Sequence, residues 1–300
     1  MKPEKSILFL VNPISGTGNK ELLRNLISSK MTGENIIYQI QETSRDGDYS
    51  DVSEKILRGE ITDVIICGGD GTVSQAIASL RHTSVNFGII PMGSGNGLAF
   101  AAGIPYAPKK AIDVALTCQP SRVDAFSVNG KFSCMLSGVG IDAAIAHDFA
   151  TEKKRGLITY IKKSFRHYLL SKPYHFVVEM ENFKLNTEAY FISIANSNQF
   201  GNHVTIAPMA SLSDGLLDIV IVNRMNKIAL LYQIARHLKL GKVMHPADVK
   251  APSGISYFQC KNIRIRNTGR APVHIDGEPA ETSEWLEVNI IENAFSLIKP

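Results

Sequence analysis

Along the first third of the chain, short apolar runs alternate with segments whose apolar residues recur every three or four positions. Ser6–Asn12 (SILFLVN) is a run without polar alternation and predicts a strand buried on both faces; Asn19–Lys30 (NKELLRNLISSK) has a helical period. The pair of signals then repeats. Asn35–Glu42 predicts a strand and Asp48–Gly59 a helix stopped by glycine. DVIICGG predicts a strand and TVSQAIASLRH a helix that begins near Thr72, and NFGIIPMG predicts a strand before a short helix over Asn96–Ile104. Strand and helix in alternation predict a doubly wound, mostly parallel α/β sheet.

After about Pro120 the rhythm changes. SRVDAFSVNGKFSCMLSGVGI contains Asn129-Gly130, a pair that favours a tight hairpin. YHFVVEMENFKLNTEAYFISIAN reads as a second hairpin, and DGLLDIVIVN, YFQCKNIRIRN, APVHIDGEP and EWLEVNII as further strands. Two helical insertions, Glu152–Ser171 and Lys227–Leu240, interrupt them. The expectation is an antiparallel β-sandwich. The first domain is expected over 1–121, with 289–300 able to return to it, and the second over 122–288.

Composition narrows the class. The 300 residues are 44% hydrophobic and 20% charged, enough apolar content for real cores. A net charge of +4 is too small to argue for nucleic acid, and suits an anionic substrate or an anionic membrane surface. Cys67, Cys118, Cys134 and Cys260 form no CxxC pair, which points to a reducing compartment rather than a disulfide framework or zinc site. The apolar run Ile7–Val11 is too short for a signal peptide or a membrane span, and no later stretch reaches 18 uninterrupted apolar residues. The expected setting is the cytoplasm, with at most peripheral contact with the inner face of a membrane.

Three strand-to-helix junctions of the first domain carry glycine: NPISGTG (Asn12–Gly18), GGDGT (Gly68–Thr72) and PMGSGNG (Pro91–Gly97). In a doubly wound sheet such junctions share the carboxyl edge where ligands bind. Glycine lets main-chain N–H groups approach a phosphate, and a helix N-terminus adds a favourable dipole. Ser15, Thr17, Thr72, Ser94 and Asn96 could add side-chain hydrogen bonds. Asp70 is out of place beside bare phosphates, because like charges repel. It becomes useful if Mg²⁺ lies between acid and phosphate. The plainer alternative is that Asp70 caps the helix near Thr72. GxxxxGK[ST] is absent, and NPISGTGNKE lacks a proper GxGxxG, so neither a P-loop nor a dinucleotide fingerprint is present.

Taken in order, VNPISG, GGDGT, PMGSGNGLA, SDGLLD and HIDGEP resemble the diacylglycerol kinase catalytic-domain family, which includes bacterial lipid kinases and sphingosine and ceramide kinases. The resemblance runs over nearly the whole chain and implies ATP and Mg²⁺ as cofactors. By it, Asn12, Pro13, Ile14, Ser15 and Gly16 match a first nucleotide loop, and Thr43 a nucleotide contact. Gly69, Asp70, Gly71, Thr72, Val73, Ser74 and Gln75 match the central phosphate loop, and Ser94 a hydroxyl in the third. Asp124 matches an acid working with the metal, and Glu278 a general base on the lipid hydroxyl. Ser211, Asp214 and Leu216 match a structural Mg²⁺ site, with main-chain carbonyls from Ser211 and Leu216. The third loop departs from the GTxND form of many bacterial diacylglycerol kinases and is closer to the GSGN form of sphingosine-type kinases. In that group an acid after a Gly-rich strand end recognises the acceptor head group, and Asp142 stands in a comparable place.

The resemblance thus implies phosphoryl transfer from ATP to a hydroxyl of a diacylglycerol or sphingoid-base type lipid. For the base, Asp276 and Asp70 compete with Glu278, and an ordinary turn carboxylate is the plain reading of Glu278. SDGLLD, read plainly, is a type I turn before a strand. Leu157, Ile158, Ile161, Phe165, Tyr168 and Leu169 form a helical stripe among Lys153, Lys154, Arg155, Lys162, Lys163, Arg166 and Lys172. This stripe could lie on an anionic bilayer or pack on the β domain. His203, His237 and His245 lack ligand spacing and read as surface or capping residues. Two other functions stay open: an NAD kinase-like enzyme acting on a soluble metabolite, and a non-catalytic nucleotide or lipid sensor. Partners expected are ATP and lipid, with a homodimer left open.

Overall fold

The computed structural model describes residues 5–16, 20–32, 36–150, 172–181, 183–199, 206–226, 229 and 254–300. Thr17, Gly18, His203, His237, His245, the expected helix Glu152–Ser171 and most of Lys227–Leu240 lie outside these. The chain forms two compact units, Met1–Val123 with Asn293–Pro300, and Asp124–Glu292.

The first unit is the α/β arrangement that the alternation predicts. Its strands are β1 (Ser6–Val11), β2 (Ile37–Glu42), β3 (Asp63–Gly68), β4 (Asn86–Pro91) and the final residues of a long strand, Trp285–Ile298, numbered β15 by its place in the chain. They are all parallel, in the order β15-β4-β3-β1-β2. Every residue of β3 is buried, as helices on both faces require, whereas the edge strand β2 alternates in exposure. Helices α1 (Lys20–Met31), α2 (Ser50–Leu57), α3 (Asp70–Leu80) and α4 (Gly97–Ala101) follow their strands. One helix has no counterpart in the pattern analysis, α5 (Pro108–Thr117). It opens with proline at its first turn and buries Ala111, Ile112 and Ala115. Two of those three are alanines, so its apolar stripe is faint in sequence.

The second unit is an antiparallel sandwich. Its strands are β5 (Pro120–Val128), β6 (Lys131–Ser133), β7 (Leu136–Gly140), β8 (Tyr174–Met180), β9 (Phe183–Ala195), β10 (Leu217–Asn223), β11 (Ile255–Cys260), β12 (Asn262–Asn267), β13 (Val273–Ile275) and β14 (Glu278–Ala280). They order as β14-β13-β7-β9-β8-β12-β15, with β10 between β9 and β11. β10 shows why an uninterrupted apolar run suits a sandwich. Leu217, Ile219 and Ile221 enter a core with Phe126, Phe176 and Phe258, while Val220 and Val222 enter a second core with Tyr190 and Tyr257. Asn129 and Gly130, at φ 49° and 79°, make the expected turn between β5 and β6. A helix not foreseen, α6 (Ile141–Ala150), follows β7 directly. Among the described residues no helix is long and apolar enough to cross a membrane.

One carboxylate holds a large part of this unit's connectivity. Asp276 and Gly277, at φ 49° and 83°, form the two-residue turn of the β13–β14 hairpin. The Asp276 side chain turns inward and accepts hydrogen bonds from Ser133 Oγ (2.7 Å) and from the main-chain N–H groups of Cys134 (3.1 Å), Met135 (3.0 Å) and Leu136 (3.1 Å). This ties the Ser133–Leu136 segment to the turn, so the Asp276 carboxylate is committed to holding the fold. Asp276→Ala strands four buried donors and should destabilise the second unit by about 3 kcal/mol or more. Urea unfolding followed by circular dichroism measures this.

Candidate functional site

In the first unit the glycine junctions meet where the parallel strands end. Asn12 N–H donates to Cys67 O (3.0 Å), Met92 N–H to Gly68 O (2.9 Å) and Thr43 N–H to Val11 O (3.1 Å), so β1, β2, β3 and β4 release their chains at one edge. Beyond that edge the loops are bound to each other. Asn12 Nδ2 donates to Thr72 Oγ1 (2.7 Å), joining the first loop to the second. A Cβ on Gly16, at φ 59°, would stand 2.2 Å from Met92 O. A Cβ on Gly93 would stand 2.6 Å from the Gly69 Cα. Only glycine permits these approaches. The Gln75 side chain lies over Gly47, near enough that a Cβ there would meet its Nε2 at 2.6 Å, which brings in the loop after β2.

Asp70 does not cap the helix as the plainer alternative had it. The helix starts at Asp70 itself, with Gly69 as its cap and no side-chain cap hydrogen bond. Asp70 Oδ1 instead accepts from Gly97 N–H at 2.7 Å, so the acid binds the third loop to the second. The first intrahelical bond of α3 runs from Val73 N–H to Gly69 O (3.0 Å). The N–H groups of Gly71 and Thr72 precede it and have no acceptor within the helix. An acid therefore stands among N–H groups that favour anions, and its second carboxylate oxygen is a hard donor that a cation shared with phosphate would take.

The remaining residues of the three loops divide by exposure. Pro13, Ile14 and Ser94 are exposed, while the Val73 side chain enters the core. Asn96, buried at φ 53°, spends its amide within its own loop, with Oδ1 on Gly93 N–H and Nδ2 on Gly93 O, both 2.8 Å. It therefore shapes the third loop instead of facing a phosphate. Sequence reasoning missed Lys20, whose Nζ donates to Ser15 O at the first loop. Burial pulls its ammonium down from the usual lysine value, an effect that nearby Cys67 partly opposes. The readable signal was a basic residue opening the helix after NPISG.

In the second unit, Glu278 is exposed and is the first residue of β14, opposite Ile275, just beyond the turn. Asp142, buried at the start of α6, lies 3.4 Å from His274 Nε2, a partner with no signal in the motifs themselves. Asp124 is buried, and its Oδ2 accepts from Gly215 N–H at 2.8 Å. It is thus built into the SDGLLD turn, together with a bond from its N–H to Leu212 O (2.7 Å). Leu216 N–H donates to Asp214 Oδ1 (3.1 Å), and Ser213 N–H to Ser211 Oγ (3.4 Å), so the segment's own side chains brace its turn.

Acid accumulates at this turn. Burial raises the Asp214 carboxyl, with the Asp124 charge adding to it. Burial pushes Asp218 up to about 6, opposed by hydrogen bonds from Tyr257 and Gln259 and assisted by the Asp214 charge. Two neighbouring carboxylates are the kind of hard oxygen donors that Mg²⁺ takes. Among the described residues, no three His, Cys, Asp or Glu side chains group to hold a metal by themselves, and the carbonyls of Ser211 and Leu216 would have to complete such a site.

Comparison with known proteins adds family to geometry. Residues 6–128 match the diacylglycerol kinase catalytic domain, and 136–298 the YegS C-terminal NAD kinase beta sandwich-like domain. A probable lipid kinase YegS-like from Chromohalobacter salexigens is 26% identical over 267 residues, covering 87% of this chain and 83% of its own. A diacylglycerol kinase of Bacillus subtilis is 23% identical over 281 residues, covering 91% and 90%. A crystal structure of a diacylglycerol kinase from Bacillus anthracis has a TM-score of 0.73 at 20% identity, covering 100% of this chain and 98% of its own. That likeness speaks to the fold.

The close approach of the second and third loops gives a direct test. Gly93→Ala forces a methyl against the Gly69 main chain and should destabilise the first unit by about 1–3 kcal/mol. Ser94→Ala, at an exposed neighbour, should stay within about 0.5 kcal/mol of the parent. Chemical unfolding of the three proteins in parallel checks both.

Proposed function

Because the chain belongs to the diacylglycerol kinase catalytic-domain family, we propose that it transfers the γ-phosphate of ATP to a lipid hydroxyl of the diacylglycerol or sphingoid-base type. The observation that carries this reading is the binding of Asp70 to Gly97 N–H, which sets an acid among converging glycine loops. Phosphoryl transfer asks for positioning, charge neutralisation and removal of the acceptor's proton. The first unit supplies the first two. The N–H groups of Gly71 and Thr72, the loop Asn12–Gly16, Thr43, Ser74, Gln75 and Ser94 receive the nucleotide. Lys20 adds a cation at the first loop.

Asp70 would hold Mg²⁺, and Asp124 would support the acidic turn in the second unit. When bound, the metal neutralises charge on the phosphate oxygens. Glu278 supplies the remaining requirement: an exposed carboxylate that takes the acceptor's proton. Ser211, Asp214 and Leu216 would hold a second, structural Mg²⁺. A lipid acceptor implies peripheral contact with a membrane surface, for which the basic residues around 153–172 are available in sequence.

Incubation of the protein with Mg²⁺ and radiolabelled ATP, against dioleoylglycerol vesicles, sphingosine and NAD separately, tests the assignment. Label on a lipid is expected. Label on NAD, with none on either lipid, overturns the lipid reading in favour of a soluble acceptor, and binding of ATP with no labelled product at all favours a sensor. Glu278→Gln should lower kcat by about 10²–10⁴ with ATP binding unchanged. Asp70→Asn should cost at least about 10² in turnover and weaken its Mg²⁺ dependence.

The structural metal has its own readout. Mg²⁺ binding the folded state alone raises the melting temperature in proportion to the logarithm of its concentration. That rise should disappear in Asp214→Ala, measured without nucleotide by scanning calorimetry.

A further inference from the structure

His274 is buried on β13, and its ring meets a polar partner on each edge, by a hydrogen bond at Nδ1 and by an ion-pair contact at Nε2. Its Nδ1 accepts from Gly277 N–H at 3.2 Å. A ring nitrogen that accepts carries no proton, so in the neutral imidazole the proton sits on Nε2. That nitrogen points at Asp142 Oδ2, 3.4 Å away. The other oxygen of Asp142 accepts from Ala143 N–H at 2.8 Å. Oδ2 is shut off from solvent and has no hydrogen-bond partner among the described residues, and His274 Nε2 is the charged-pair contact it has. A buried carboxylate oxygen left without compensation costs several kcal/mol, and the facing imidazole edge, 3.4 Å away, offsets that burial electrostatically.

The strand register makes room for this pair. His274 lies directly opposite Gly138 of β7. A Cβ on Gly138 would stand 1.9 Å from Asp142 Oδ2 and 2.8 Å from His274 Nε2. Any other residue there would separate the two side chains. Helix α6 is fastened to the same strand a second time, by His147 Nε2 donating to Val273 O at 2.7 Å.

The chain Asp142, His274, Gly277 ends one residue before Glu278. The turn it reaches is also held from its other side by Asp276. Both residues of the turn are left-handed, which fixes the direction in which the strand leaves it. We infer that Asp142 and His274 are positioning residues, which hold Gly277 and so aim the Glu278 carboxylate at the acceptor. This rests on the reading of Glu278 as the base. It gives Asp142 a different task from head-group recognition: its carboxylate is committed to His274 and Ala143.

The pair keeps the imidazole in one tautomer. The Asp142 charge favours the proton on Nε2, which leaves Nδ1 to accept from Gly277. Without the acid, the ring is free to carry its proton on Nδ1, where it would face the Gly277 N–H donor to donor. The turn would then lose one of its two anchors while Asp276 kept the other. The expected result is a folded protein with a misdirected Glu278.

The test uses the full chain with Mg²⁺–ATP and dioleoylglycerol in phosphatidylglycerol vesicles, together with amide hydrogen exchange at Gly277 read by NMR. His274→Leu should lower kcat about ten- to a hundredfold, leave both KM values within about twofold, and speed exchange at Gly277. His274→Asn offers an amide oxygen in place of Nδ1 and should keep kcat within about threefold of the parent. Asp142→Asn should act in the same direction as His274→Leu, and the double variant should be no worse than His274→Leu alone.

If Glu278→Gln abolishes turnover while His274→Leu leaves it intact, the base reading stands and the positioning role falls. If Asp142→Asn raises only the KM for dioleoylglycerol, Asp142 contacts the acceptor and the inference is wrong. If Glu278→Gln turns over normally, the base reading fails by itself, and Gly277 exchange then decides alone whether the pair holds the turn. Unchanged exchange in His274→Leu overturns the inference whatever the kinetics.

Discussion

Main chain lies against main chain where Gly69 meets Gly93, and the candidate nucleotide site of the first unit depends on that contact. With the two loops this near, Asp70 can reach Gly97 N–H, and the helix start at Asp70 faces the third loop. Asn12, bonded to Thr72, brings the first loop to the same place. A side chain at either glycine would part the loops and take their N–H groups out of reach of a common phosphate chain. The glycines thus act through absence: the space they leave is filled by backbone, and the backbone provides the donors.

HIDGEP puts two acids two residues apart and gives them opposite work. Asp276 lies within the turn, buried, and its carboxylate gathers a hydroxyl and three main-chain N–H groups. Glu278 stands at the start of the next strand, exposed. A carboxylate that accepts from a hydroxyl and three main-chain N–H groups is committed to holding its loop. Among the described residues, no side-chain hydrogen bond ties down the exposed neighbour. Of the two acids, the one that the family resemblance matches to a base is the exposed one.

The SDGLLD turn follows another logic. Asp124, Asp214 and Asp218 bring negative charge into a partly buried region, and the effect on Asp214 and Asp218 is to favour their neutral forms. Tyr257 and Gln259 compensate Asp218 with hydrogen bonds. For Asp214 and Asp124 the compensation comes from main-chain N–H groups of the same turn, Leu216 and Gly215. A turn that gathers its own donors around its acids can exist without a cation and gain from one.

The order of strands and helices in the first unit was legible because burial on both faces leaves unbroken apolar runs such as Asp63–Gly68. The glycine loops were legible because backbone approach demands a missing side chain. The hairpin at Asn129-Gly130 was legible from its turn residues. Helix α5 was not, because alanines carry little of the apolar contrast that marks a helix. Nor was helix α6, whose sequence continues the small and apolar residues of β7 without a visible stop. By itself, the chain's pattern determined the two-unit α/β and β-sandwich architecture and the residue types at each loop, because periodicity and turn chemistry are local properties. Tertiary structure alone decided that Asp70 serves Gly97, that Asp276 is structural, and that Asp142 meets His274 across Gly138. Each of those bonds joins residues far apart in sequence, and only strand register and burial select which partner a charged side chain receives.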